Sequence, residues 1–236
     1  MNELSRKVLK AFSGVPAVDP WAPSTALVLI DMQVSCIRPH GYTIRRLREC
    51  GLDAAVAQYE RQLQVVIPQL QRVVDRVRQN GQLVVHVHVV TVKRPGSSWH
   101  VQVTRWAPEG SDESRIIDEL APRAGDLDVP KTCSGVFTGT NLDFLLRRLG
   151  ITSLIVGGVV THGCVERCVQ EGHDLGYPIV LLSDGCASTT DELHHNALER
   201  LEDRRAHVIS VDALLGSHRL DATLQARPSD AATTLA

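Results

Sequence analysis

Hydrophobic and polar positions along the chain follow two alternating patterns. Short runs that are apolar almost throughout, such as 25–31, 83–90 and 153–156, predict strands buried on both faces. Between these runs apolar residues recur near helical spacing, most clearly over 54–79, where Gly81 ends the pattern. The same patterns predict further strands at 127–129, 179–182 and 207–210, and further helices at 113–120, 141–149, 164–175 and 191–204.

This alternation is typical of an α/β protein in which a parallel sheet lies between two layers of helices. A chain of 236 residues is long enough to form one such domain. We expect the domain to span 22–215, with 1–21 as an N-terminal extension. The polar, Ala- and Thr-rich residues 216–236 are expected to form a tail that is either flexible or donated to a partner subunit.

Composition excludes few functions but makes some partners improbable on physical grounds. The net charge of −2 gives no reason to expect nucleic acid or an anionic membrane as partner. Since no apolar run approaches the length of a membrane span and no cleavable leader is evident at the start, a cytoplasmic protein is expected. The 6 cysteines include no Cys-x-x-Cys pair, which argues against a disulfide framework and against structural zinc.

Three reactive side chains stand at the ends of predicted strands. Asp31 ends the first strand, Lys131 follows the third, and Cys164 follows the fourth in a glycine-flanked turn before a helix. The carboxyl ends of parallel strands meet at one sheet edge, so these side chains are expected to converge there. Taken singly, each also fits an ordinary role as a turn cap, a solvated lysine or a packed thiol.

Together the three side chains suit attack of a thiol on a carbonyl group. Asp31 would act as base and then as acid, Lys131 would stabilise negative charge, and Cys164 would be the nucleophile. A cysteine at the first turn of a helix also meets the positive end of the helix dipole, which predicts that thiolate is favoured over thiol.

Three motifs in order extend this interpretation to a known family. They are ALVLIDMQ at 26–33, PKTCSGVFTGTNLDFLLRRLGI at 130–151 and LIVGGVVTHGCVERCVQEGHDLGYPIVLLSDGCAS at 154–188. With them the chain resembles the isochorismatase-like cysteine hydrolases, which include nicotinamidases, N-carbamoylsarcosine amidase, ureidoacrylate amidohydrolases and biuret hydrolases. The resemblance covers about 22–215. It implies a three-layer α/β/α, Rossmann-like fold on a six-stranded parallel sheet, with a catalytic triad of Asp31, Lys131 and Cys164.

The resemblance also implies a cis peptide bond between Val160 and Thr161, which would aim the Thr161 N–H, together with that of Cys164, at the substrate oxygen. Members of the family commonly form dimers or tetramers, so a homodimer or homotetramer is expected. Four residues are candidates for contact with a small amide or ureido substrate, each with a structural role as the alternative: Gln33, Trp106, Phe137 and His162.

Nicotinamidases bind a metal through an Asp-x-His pair and a further histidine, and no such pair follows the first strand here. His86 and His88 share one face of a predicted strand but lie in an apolar run, which favours core or pocket histidines. We therefore expect neither a metal nor a cofactor.

Three functions remain open at this point. The first is a cysteine-dependent hydrolase of a small amide, carbamoyl or ureido compound, with an acidic group on the substrate suggested by basic residues within 35–53 and 92–112. The second is vinyl ether hydrolysis of the isochorismate type, with Asp31 as proton donor and no need of the cysteine. The third is an inactive isochorismatase-like binding module.

Overall fold

A computed structural model describes residues 3, 4, 8, 14–91, 107–202 and 204–224. Its strands are β1 (Gly14–Val15), β2 (Thr25–Ile30), β3 (Val84–Val89), β4 (Leu127–Lys131), β5 (Ser153–Val159), β6 (Ile179–Ala187), β7 (His207–Ile209) and β8 (Thr223–Leu224). Its helices are α1 (Val34–Ile37), α2 (Tyr42–Glu49), α3 (Asp53–Gln79), α4 (Leu142–Arg148), α5 (Glu166–Asp174), α6 (Asp191–Leu201) and α7 (Val211–Gly216).

Strands β2 to β7 form the predicted six-stranded sheet. Their order is β4-β3-β2-β5-β6-β7, and every neighbouring pair is parallel. Strand β2 is buried on both faces: Leu27 and Leu29 pack in the core on the α3 side, while Val28 and Ile30 pack in the core that includes α4 and α5. The continuous apolar run in the sequence follows from this two-sided burial.

A glycine allows β5 to approach β2 just before the functional edge of the sheet. Gly158 has a φ of +126°, and a Cβ atom there would lie 2.1 Å from the carbonyl oxygen of Ile30. Any larger residue would therefore collide with β2 one position before Asp31. This close contact fixes the position of the end of β5, which leads to Cys164, relative to the end of β2, which leads to Asp31.

The predicted helix at 113–120 is wrong. The structure has two short 3₁₀ turns, Asp112–Ser114 and Asp118–Leu120, separated by extended backbone. Between them Ile116 pairs with Gln33, and the Ile117 N–H donates to the Met32 carbonyl at 3.0 Å. These bonds to the segment after β2 use main-chain groups that a continuous helix would need.

The two ends of the described chain meet each other. Val18 pairs with Leu220, and β1 pairs antiparallel with β8. Residues 216–236 were predicted to form a tail that is flexible or donated to a partner; the described part, 216–224, pairs with its own chain, and 225–236 lie outside the described residues. Within the described ranges, no helix combines the length and the apolar character that crossing a membrane requires.

Candidate active site

Lys131 is the centre of a buried cluster at the carboxyl edge of the sheet. Its Nζ lies 3.0 Å from Asp31 Oδ2, 3.2 Å from Cys164 Sγ and 3.1 Å from the Cys133 carbonyl oxygen. An ammonium group has three N–H donors, so these three acceptors satisfy it completely. Asp31, Lys131 and Cys164 are 2%, 1% and 7% exposed. The structure thus brings together the three side chains that the sequence placed at strand ends.

The strand order explains why a lysine occupies the central position. Asp31 follows β2 and Lys131 ends β4, with β3 between them. Strands β2 and β4 are therefore two strand spacings apart, roughly 10 Å. A long side chain with a terminal charge can cover most of this distance. The backbone of Asp31 has a φ of 53° and its N–H donates to the Val87 carbonyl at 2.8 Å, which turns the chain out of the sheet at this point.

Cys164 lies in a wide helical turn, Thr161–Val165, that connects β5 to α5. Gly163 in this turn has non-helical angles, φ −124° and ψ −107°. The cis peptide bond lies between Val159 and Val160, so the predicted position between Val160 and Thr161 is wrong by one residue. The glycine pattern identifies a turn here but does not specify which peptide within it is cis.

The charge state of the cluster follows from its burial. Burial raises the pKa of the Cys164 thiol to about 12, and the nearby Asp31 charge adds to the effect, while Lys131 opposes it. Burial thus opposes the predicted effect of the helix dipole on this thiol. For Lys131, burial alone would lower the pKa, but the charge of Asp31 and the hydrogen bonds to Asp31 and Cys164 outweigh it and raise the pKa. The resting pair is a neutral thiol beside an ammonium group.

One oxygen of the cluster is left over. Asp31 Oδ2 accepts from Lys131, whereas Asp31 Oδ1 is buried and has no hydrogen-bond partner among the described residues. Buried polar atoms are nearly always paired in native proteins, and exceptions concentrate where a reaction needs them. Oδ1 is consequently free to accept a proton in the cluster.

Gln33, a candidate for substrate contact, has a structural role. Its Oε1 accepts the Val89 N–H at 2.6 Å, and its Nε2 donates to the carbonyl oxygens of Val89 and Glu113, each at 3.1 Å. The side chain is completely buried. Through both N–H groups of its amide, Gln33 thus links the end of β3 at Val89 to the segment that contains Glu113.

Replacing Gln33 with leucine should lower the free energy of unfolding by about 3 kcal/mol, because two buried main-chain groups of Val89 and the part-buried carbonyl of Glu113 lose this partner. KM per folded molecule should not change. Urea unfolding and steady-state kinetics measure the two effects, with the exposed Gln64→Leu on α3 as the matched control. A raised KM with unchanged stability would restore the substrate-binding role.

The other candidates for substrate contact have different outcomes. Phe137 is buried in the same core cluster as Cys164 and stacks on Tyr177, with ring centroids 5.8 Å apart. Trp106 lies outside the described residues. His162 is half-buried next to the cysteine turn, and its Nδ1 is hydrogen-bonded to Ser188 Oγ. Burial lowers the pKa of His162, which favours the neutral ring.

His86 and His88 are engaged by polar neighbours within the fold. His86 Nε2 lies 3.2 Å from Asp126 Oδ2, and His88 Nδ1 lies 3.0 Å from the carbonyl oxygen of Ser114. In the part of the chain that is described, no group of three or more His, Cys, Asp or Glu side chains is arranged to hold a metal ion.

Two contacts next to the cluster could not be expected from the sequence. Thr161 is completely buried and its Oγ1 lies 2.8 Å from His194 Nδ1, so a hydrogen bond joins α6 to the turn that contains Cys164. Glu171 on α5 accepts hydrogen bonds from the loop after Lys131. Both residues act on main chain or on another side chain, and no motif in a single sequence marks such contacts.

Comparison with known proteins assigns the chain to a family. The family model described as the isochorismatase domain matches residues 25–213. The chain belongs to the isochorismatase family. It is 31% identical to the ureidoacrylate amidohydrolase RutB of Stutzerimonas stutzeri (strain A1501), over 83% of each chain. It is therefore a hydrolase of this family, with relatives that are named amidohydrolases.

Solved structures agree with this placement. The N-carbamoylsarcosine amidase of Thermoplasma acidophilum matches with a TM-score of 0.64 and 26% identity, over 80% of this chain and 96% of that one. A cysteine hydrolase of Pseudomonas syringae pv. phaseolicola matches with a TM-score of 0.72 and 20% identity, over 85% and 95%. The second likeness concerns the fold alone, and it confirms the predicted three-layer architecture of the isochorismatase-like fold.

Proposed function

We propose that this protein is a cysteine-dependent amidohydrolase that cleaves the C–N bond of a small amide, carbamoyl or ureido compound through a thioester. The proposal rests on the buried cluster in which one lysine contacts both the Asp31 carboxylate and the Cys164 thiol. A thiol beside a general base is the arrangement that covalent attack on a carbonyl group requires. The names of the relatives, ureidoacrylate amidohydrolase and N-carbamoylsarcosine amidase, fit the same chemistry.

In the first half of the proposed reaction, Asp31 takes the thiol proton while Cys164 Sγ bonds to the carbonyl carbon. A base is needed because the resting thiol, with a pKa raised to about 12, is not ionised at neutral pH. Main-chain N–H groups of the Val160–Cys164 turn would stabilise the oxyanion. When the tetrahedral adduct collapses, the C–N bond breaks and the Asp31 carboxylic acid protonates the leaving nitrogen. Ammonia or an amine departs, and the acyl group stays on sulfur.

In the second half, Asp31 is again a carboxylate and takes a proton from water, whose oxygen attacks the thioester carbon. The C–S bond breaks, the sulfur recovers its proton from Asp31, and the acid product leaves. Lys131 keeps its proton in both halves, because its pKa is raised by the two neighbouring acidic groups. Its charge offsets the negative charge that moves between Asp31, the sulfur and the substrate oxygen.

The first test is ammonia release from a panel of small amides and ureas: nicotinamide, biuret, N-carbamoyl amino acids and ureidoacrylate analogues, with a chelator present throughout. We expect release from at least one carbamoyl or ureido compound. No release from any of them, together with hydrolysis of isochorismate, would favour the vinyl ether reaction. No reaction with either class would favour the inactive binding module.

Three further proposals concern His162, the cellular location and the oligomeric state. His162, two residues before Cys164, is proposed to border the bound substrate, because it is half-buried beside the cysteine turn. A cytoplasmic location and assembly as a homodimer or homotetramer remain predictions. Light scattering after size-exclusion chromatography measures the oligomeric state directly, and a monomer at micromolar concentration would contradict the expected assembly.

A further inference from the structure

Glu171 of α5 binds the loop that follows Lys131. Its Oε2 accepts the N–H groups of Val136 at 3.0 Å and Phe137 at 2.9 Å, and its Oε1 accepts the Thr138 hydroxyl at 2.8 Å. A third N–H, that of Thr138, lies at 3.4 Å from Oε2. Successive main-chain N–H groups around one anion form a concave binding site. Here the anion is a side chain of the same protein.

The loop is shaped to receive this carboxylate. A Cβ atom at Gly135 would lie 2.6 Å from Glu171 Oε1, so only glycine lets the carboxylate come this close. On the other side of the loop, Phe137 is anchored in the core by its stacking on Tyr177. The 132–138 loop is therefore fixed at two points, one polar and one apolar.

The same loop supplies the third acceptor of the Lys131 ammonium group, the Cys133 carbonyl oxygen at 3.1 Å. Glu171 lies seven residues after Cys164, which is about two helical turns further along the chain. The chain segment that carries the thiol thus also holds, through Glu171, the loop that completes the surroundings of Lys131. Neither contact involves the substrate.

We propose that Glu171 is a positioning residue that keeps the Lys131 ammonium group in place by fixing the Cys133 carbonyl. The expected effect on turnover rests on the proposed function, whereas the expected effect on the position of the Lys131 ammonium group does not. Glu171→Leu would leave three N–H groups without this acceptor and free the loop. Glutamine would keep an oxygen for the N–H groups and could donate from its nitrogen to the Thr138 hydroxyl, so it should preserve the arrangement.

The ammonium group can be observed directly. The chain has 4 lysines, Lys7, Lys10, Lys93 and Lys131, so the ¹⁵N-detected ammonium spectrum is simple, and Lys131→Met assigns the resonance of interest. A buried ammonium group with three acceptors exchanges slowly with water and gives a sharp signal. We expect this signal to broaden or shift in Glu171→Leu and to persist in Glu171→Gln. Asp174→Asn removes an exposed carboxylate from the same helix and should leave it unchanged.

Turnover provides the second measurement. In Glu171→Leu we expect kcat to fall by about 10- to 100-fold, as for a small misplacement of a reacting group, with KM within about twofold of its original value. Circular dichroism and the melting temperature establish that each variant is folded under assay conditions. A Lys131 signal that is unchanged in Glu171→Leu would overturn the inference, even if the melting temperature fell. A Glu171-dependent signal in a protein without amidohydrolase activity would support the inference and contradict the proposed function.

Discussion

Cys164→Ala should lower the rate of ammonia release by about 10⁴-fold or more, the scale on which removal of a nucleophile acts in enzymes with a covalent intermediate. The proposed thioester forms on Sγ, and Lys131 Nζ contacts that atom at 3.2 Å. Alanine leaves the substrate without a covalent partner, whereas Asp31 and Lys131 remain in place. The measurement is kcat on the best substrate of the panel, with circular dichroism to verify the fold.

Cys168→Ala is the matched control for this variant. Cys168 lies one helical turn beyond Cys164 in the same core cluster, but it is completely buried, whereas Cys164 is 7% exposed. We expect it to lower stability modestly, as loss of a buried sulfur does, while turnover of the folded protein stays close to its original value. If Cys164→Ala kept its activity, the covalent mechanism would be excluded, and a vinyl ether reaction that uses Asp31 as proton donor would become the better explanation.

Much of this site can be predicted from the sequence, because strand ends are visible in the pattern. Asp31 and Cys164 follow short apolar runs, Lys131 ends the partly exposed strand β4, and parallel strands end at one edge of a sheet. The place of these three residues in the sequence therefore predicts that they lie near one another. The same relation predicts the centre of the sheet, since β2, β3 and β5 are buried on both faces and their apolar runs reflect this burial.

What could not be predicted depends on main-chain contacts between distant segments. The bonds of Gln33 to Val89 and of Glu171 to the 132–138 loop join segments far apart in the sequence. The helix expected at 113–120 is replaced because Ile116 pairs with Gln33. Such partners are chosen by tertiary packing, and the spacing of hydrophobic residues contains no information about them.

The raised pKa of Cys164 shows the same limit in electrostatics. A helix start favours a thiolate, and from the sequence this is the visible effect. Burial acts in the opposite direction here, with the Asp31 charge added to it. Which effect prevails depends on solvent exposure of the finished site. The resting thiol in turn makes the base indispensable to the proposed mechanism, because attack needs the proton to be removed within the reaction.

Lys131→Met should both abolish turnover and destabilise the fold. The ammonium group is buried and has three acceptors, so its removal leaves the buried Asp31 carboxylate without a charge partner. Breaking a buried ion pair from one side costs about 3–5 kcal/mol. Methionine fills a similar volume, which separates the loss of charge from the creation of a cavity. Urea unfolding gives the free energy, and ammonia release gives kcat.

The double variant Asp31→Asn with Lys131→Met distinguishes the two effects. Because it removes both charges together, it should recover a large part of the stability lost in Lys131→Met, while turnover stays absent since the base is missing as well. Arg147→Met is the matched control: its pairing with Asp143 is solvent-exposed, so its loss should change the free energy of unfolding by less than about 1 kcal/mol. A Lys131→Met protein as stable as Arg147→Met would contradict the expected cost of leaving the buried Asp31 carboxylate without its ion-pair partner.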